Sequence, residues 1–181
     1  MPAFDAHIPL PEIFWSFETG RPIARCGLCN CDLMEPGTGY IIEKAFKDKE
    51  TLFEHALCIP CHFQCLEEIS EESTARIRAY FAENPDLATR PVQYLEKFGT
   101  DHRRWIDRCM MKGYPAVECA EYQLYGFCVD KSLLFNGAPY ILSGEAVDEI
   151  VALLSSETLK VLGDLSERLF GIGSPKDLLV F

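Results

Sequence analysis

Apolar and polar positions alternate differently along the chain, and the changes in period mark out its elements. Residues 40–46 and 51–57 are apolar-rich runs bounded by the polar turn Lys47-Asp48-Lys49-Glu50, which reads as two strands and their connection. A helix follows. Pro60 suits a first helical position, where its missing N–H has no partner to lose, and Phe63, Leu66 and Ile69 recur on one face. Ser70 caps a second helix running to about residue 82. Thr100 caps another, with Trp105, Ile106, Cys109 and Met110 apolar and Arg103, Arg104, Arg108 and Lys112 opposite, a basic stripe that reads as a solvated face.

Further on, residues 122–129, 133–135 and 138–142 have the pattern of a three-stranded meander. Asn136-Gly137 predicts a hairpin turn between its last two strands, because both residues tolerate positive φ. Pro139, lacking a ladder donor, puts its strand at an edge. Ser143 caps a helix carrying Val147, Ile150, Val151 and Leu154 at helical spacing, and a last helix covers about 157–170, ended by Gly171 and Gly173. The fold class is α+β: an N-terminal metal-binding unit, a helical middle, and a C-terminal β-meander with two amphipathic helices. The steps Asn84-Pro85 and Arg90-Pro91 divide residues 1–84, the metal unit with its following helices, from residues 85–181, a helical linker and the α+β remainder.

Composition narrows the function. The chain has 181 residues, 48% hydrophobic, enough for a real core in one domain or two small ones. With 17 Lys and Arg against 28 Asp and Glu the net charge is −11. Nucleic acid and anionic lipid are therefore poor partners, since both recruit proteins through basic groups. The first twenty residues carry no Lys or Arg and include Pro2, Pro9 and Pro11, unlike a secretion signal. No apolar run reaches the roughly 18 residues of a membrane span. A cytoplasmic protein is expected. Its nine cysteines then point to metal ligation or burial rather than disulfides.

Two short pairs stand out. Cys26-x2-Cys29 and Cys58-x2-Cys61 are separated by 28 residues, and two such pairs complete the tetrahedron that Zn2+ takes at about 2.3 Å per sulfur. Asn30 follows the first pair, where a metal-gripping turn wants left-handed backbone. Cys61 falls in the first turn of the Pro60 helix, where free N–H groups favour a thiolate. Cys31, His62 and Cys65 lie close by, so seven candidates compete for four places; Cys65 or His62 is the replacement weighed, and Cys31 and Cys65 otherwise read as small buried hydrophobes. His7 and His55 read as structural. Cys109, Cys119, Cys128 and His102 match no ligand spacing and read as core residues. Phe4, Ile8, Ile13, Phe14, Trp15 and Phe17 form an apolar cluster that packs back onto the chain's own core or, alternatively, docks elsewhere.

The order of cysteine turn, loop, β-hairpin and ligand-bearing helix resembles the treble-clef class of zinc fingers over about residues 20–70. The resemblance implies that Cys26, Cys29, Cys58 and Cys61 hold one structural zinc. A closed four-thiolate site has no open position at which to activate water, so its contribution is to folding. Treble clefs serve many purposes, and the likeness carries no function of its own. There is also a partial resemblance to rubredoxins, which hold iron in two CxxC turns. Here Cys58-Ile-Pro-Cys61-His62 lacks the glycine of the second turn and runs into a helix. No Gly-x-Ser-x-Gly, phosphate-cradling loop or His-Glu-x-x-His occurs, so no catalytic or cofactor-binding residue is nominated. The expectation is a non-enzymatic zinc protein that binds another protein as a scaffold or adaptor. The alternatives are an iron electron carrier or an enzyme with its site in the C-terminal half.

Overall fold

The computed structural model describes residues 6–171, so Phe4 and Gly173 lie outside the described residues. The strands are β1 (His7–Pro9), β2 (Gly39–Lys47), β3 (Glu50–Cys58), β4 (Glu121–Val129), β5 (Ser132–Leu134) and β6 (Tyr140–Ser143). The helices are α1 (Ile59–Glu67), α2 (Glu71–Ala82), α3 (Asp86–Phe98), α4 (His102–Trp105), α5 (Gly144–Leu153) and α6 (Ser156–Phe170). The class is α+β, with one antiparallel sheet in the order β1-β5-β4-β2-β3 and β6 also on β4.

The first hairpin forms as the pattern predicts. Asp48 and Lys49 both take positive φ, 49° and 73°, the twist that suits a two-residue connection between Lys47 and Glu50. Register slips once, between Ala45 and Phe46, leaving Leu52 as an extra residue on β3. β2 then pairs along its whole length with β4, so strands from both sides of residue 84 are neighbours.

The expected meander is corrected. β5 pairs with the C-terminal end of β4 and β6 with its N-terminal part, so β5 and β6 share one edge of β4 and do not pair with each other. Asn136-Gly137 lies in the connection between them. The reason is length: three-residue β5 covers only one end of nine-residue β4, and the rest of that edge is free for β6. Pro139 immediately precedes β6, an edge strand, as expected.

The helix expected from Thr100 is also corrected. α4 spans four residues, and Asp101 caps it by accepting from the Arg103 N–H. Cys109 and Met110 are outside it, because their N–H groups bond the carbonyls of Tyr114 and Ile141 at 2.8 Å each. Tertiary partners outweigh helical periodicity there. The basic residues consequently share no stripe: Lys112 pairs with Glu149 and Glu145, and Arg104 with Asp107.

The Arg90-Pro91 step, expected as a break, lies inside α3. Buried Arg90 holds the helix in place. Its guanidinium donates to the Trp105 carbonyl at 2.7 Å and lies 4.3 Å from the Tyr94 ring centroid.

One face of the sheet carries Tyr40, Ile42, Leu124 and Leu133 and is covered by Phe14, Trp105, Leu33 and the cysteine turn. The other carries Ile41, Tyr125, Tyr140 and Leu142 under α5 and α6, with Ile77 of α2 beside them. With both faces covered, β2 is buried at six successive positions and shows no clean alternation of apolar and polar residues. Phe14 sits so close to Gly126 that an added Cβ would meet its ring at 2.6 Å, which explains the glycine in mid-strand.

α2 and α6 are joined at their N-termini. Ser70 and Ser155 cap their own helices, accepting from Ser73 and Thr158 N–H at 3.2 Å each. Each cap's own N–H donates across to the other helix, Ser70 to Thr158 Oγ1 at 3.0 Å and Ser155 to Ser73 Oγ at 2.8 Å. This is a capping box with its return bonds exchanged between helices. Ser73→Ala and Thr158→Val should each lower stability by about 1–2 kcal/mol. A double-mutant cycle followed by denaturant unfolding should show that the two losses are not additive.

Candidate metal centre

The first pair of cysteines sits on a turn that closes on itself. Asn30 N–H donates to the Cys26 carbonyl at 2.9 Å and Cys26 N–H to the Cys31 carbonyl at 3.0 Å, while Asn30 takes φ 60°. Gly27 fastens the turn to the outer edge of β3 by donating to the Ala56 carbonyl at 2.9 Å. An added Cβ at Gly27 would meet the tip of the Leu169 side chain at 2.7 Å, so a larger residue there would require that side chain to move.

The second pair comes from the end of β3 and the start of α1. Cys58 is the N-cap residue of α1, in extended conformation, and Pro60 fills the first turn. Cys58 N–H donates to Cys26 Sγ at 3.4 Å, linking the two pairs directly. Cys61 follows within that first turn, where unpaired helix N–H groups favour negative charge.

Cys26, Cys29, Cys58 and Cys61 thus place four sulfurs within 4.8 Å of one another. Cys29 and Cys58 Sγ are 3.7 Å apart. Four sulfurs at about 2.3 Å from one ion stand about 3.8 Å apart along each tetrahedral edge. A disulfide would need about 2.05 Å, and all nine cysteines are free. The Cys29–Cys58 separation is too open for a disulfide and matches one edge of such a tetrahedron, and the whole group lies within reach of one ion. Cys26, Cys58 and Cys61 are buried, and Cys29 is exposed.

Electrostatics supports the same chemistry. Burial pushes the Cys58 and Cys61 thiols up, and burial with neighbouring thiols pushes Cys31 up to about 12. Cys29 is lowered to about 6, chiefly by the Cys31 backbone N–H. A divalent cation held among the four sulfurs would supply positive charge that favours the deprotonated, ligating form of a thiol. The four sulfurs offer no oxygen donor, a set suited to zinc or iron and not to calcium or magnesium.

The other cysteines and histidines of interest lie elsewhere. His62 is buried, with its pKa lowered by that burial, and Cys65 is half-buried one turn beyond Cys61. Cys109 Sγ accepts from Ser143 N–H at 3.2 Å and Cys119 donates to the Pro115 carbonyl at 3.4 Å. Among the described residues no second group of three or more potential ligands converges.

Two polar features escaped the sequence reading. His55, Glu43, Tyr125 and Tyr140 stand side by side across β3, β2, β4 and β6, each directly opposite the next. All four are buried; His55 Nε2 approaches Glu43 Oε2 to 3.6 Å and the tyrosine rings stack at 4.9 Å. On the other face, buried Lys44 pairs with Glu54 at 3.0 Å and donates to the Trp15 carbonyl at 2.6 Å, while Glu54 accepts the Phe17 N–H. That ion pair ties the N-terminal apolar segment down, so Phe14 is buried as expected of a segment packing back on its own core. Phe17 stays exposed beside a groove of about 1010 Å3 between residues 16–25 and β3, which Leu52, Phe53 and Phe170 also line.

No family model, curated protein or solved structure matches this chain. No helix among the described residues is long and apolar enough to cross a membrane.

Proposed function

We propose that this chain is a non-enzymatic zinc protein, in which Cys26, Cys29, Cys58 and Cys61 hold one structural zinc in a treble-clef-like unit. The observation that carries the reading is the convergence of four free sulfurs within 4.8 Å of one another. Zinc is favoured over iron because the two grips differ. One is a closed turn and the other opens a helix, whereas a rubredoxin-like site uses two matching turns. Zinc would fix the cysteine turn against β3 and α1, and with all four positions taken it would activate no water. The task assigned is that of a cytoplasmic scaffold or adaptor for another protein, supported by the acidic surface and by exposed Phe17 and Leu52 at the groove.

Elemental analysis of protein purified without added metal should find about one zinc per chain and no visible colour. One iron and a red solution would establish the electron carrier instead. The adaptor assignment predicts a stoichiometric partner captured by the wild type and lost with Leu52→Glu. Repeated capture of nothing, or capture indifferent to that substitution, would count against it.

A further inference from the structure

The cysteine cluster has a fifth thiol that four-coordinate zinc does not require. Cys31 follows the left-handed Asn30, and its carbonyl accepts the Cys26 N–H, so the turn holds it against the site. It stands two residues beyond Cys29 on the same closed turn, so the two thiols are neighbours along the chain at the rim of the cluster. It is not one of the four sulfurs that lie mutually within ligand distance. Cys29 is the exposed member of those four, and Cys31 is half-exposed. An oxidant in solution therefore meets Cys29 first, with a thiol that need not hold metal directly beside it. Exposed thiolates next to a second cysteine are the ones whose oxidation ends in a disulfide rather than in an irreversible acid.

Resting on the zinc reading above, we propose that Cys29 and Cys31 form an oxidation site through which a hydroperoxide releases the metal. The Cys29 sulfur attacks the terminal peroxide oxygen. The O–O bond breaks, an S–O bond forms, sulfur is oxidised by two electrons and the peroxide leaves as its alcohol, or as water from hydrogen peroxide. The sulfenate gains a proton from solvent. Cys31 sulfur then attacks the Cys29 sulfur, the S–S bond forms, the S–O bond breaks, and hydroxide leaves as water with the proton from Cys31. In sum, two thiols and one hydrogen peroxide give one disulfide and two waters. The cluster is left with three sulfurs, one short of the set that holds zinc.

The test uses full-length, zinc-loaded protein with hydrogen peroxide and a colorimetric zinc chelator. Zinc content before oxidation tests the underlying reading on its own. Release rate and disulfide position test the oxidation site. Cys31→Ser and Cys31→Ala should bind zinc as the wild type does. Their peroxide-driven release should be slower by roughly tenfold or more, because a tethered resolving thiol acts at an effective concentration that a second chain cannot reach. Peptide mapping of the oxidised wild type should find Cys29 joined to Cys31, reversibly by dithiothreitol. Release from both variants at the wild-type rate, or a disulfide between Cys26 and Cys29 or between Cys58 and Cys61 in its place, would overturn the proposal.

Discussion

Serine in place of Cys61 is expected to cost the chain its metal and, with it, the fold of the region around α1. A structural zinc contributes about 10–16 kcal/mol of apparent binding free energy in small zinc peptides. A whole domain is stable by only about 5–15 kcal/mol, so even part of that loss is comparable with everything available. Beyond the burial of Cys26, Cys58 and Cys61 in the core, few polar bonds hold the turn in place. The cysteine turn is joined to β3 by the Gly27 hydrogen bond and the Cys58 N–H to sulfur contact, and Cys58 gives α1 no side-chain cap. Cys61→Ser and Cys26→Ser should lower zinc content below one per chain and drop soluble yield, or lower the melting temperature by tens of degrees. Cys65→Ser, one turn further along α1, should keep the metal. Metal-free variants that melt with the wild type would refute a structural role.

The second large effect is on acid stability. His55 is buried between Phe53, with ring centroids 6.4 Å apart, and Phe170 of α6 at 5.4 Å. Desolvation lowers its pKa to about 3, outweighing the 3.6 Å approach of Glu43. In the unfolded chain a histidine titrates near 6.5. Between those two values the unfolded chain takes up a proton that the folded one refuses, so stability is full above about pH 6.5 and falls as pH drops toward 3. The slope is up to about 1.4 kcal/mol per pH unit from this one group. His55→Phe suits the aromatic surroundings and removes the titration. Acid would also weaken any metal held by the four sulfurs, but equally in both proteins. The difference in unfolding free energy between wild type and His55→Phe should therefore be flat above pH 6.5 and shift in favour of the variant below it. Two curves that stay parallel from pH 8 to pH 4 would show that His55 does not govern this dependence.

What could be read from the sequence was local. The hairpin of β2 and β3, the caps Ser70 and Ser143, and the end of α6 at Gly171 each depend on residues within a few positions of one another. The cysteine cluster was legible for a related reason: two CxxC pairs are each a local spacing, and together they form a four-sulfur ligand pattern. Missed features depend on distant partners. Asn136-Gly137 is competent to form a hairpin, yet the free length of β4 decides where β6 goes. Pro91 would end an isolated helix, but buried Arg90 is anchored to Trp105, fifteen residues on. The row of His55, Glu43, Tyr125 and Tyr140 arises only from strand register, which no single segment specifies.

The pairing of β2 with β4 has a consequence for how the protein is made. In sequence, Lys47 and its β4 partner Glu121 are 74 residues apart. At about 5–20 residues per second, a ribosome delivers β4 several seconds after the front hairpin is out. Throughout that wait one long rim of β2, with Ile41, Ile42 and Ala45 along it, has no neighbour. Glu43 and Lys44 lie in that same stretch, so two charges that are costly to bury in the finished molecule make the open rim a poorer template for stray pairing during its birth.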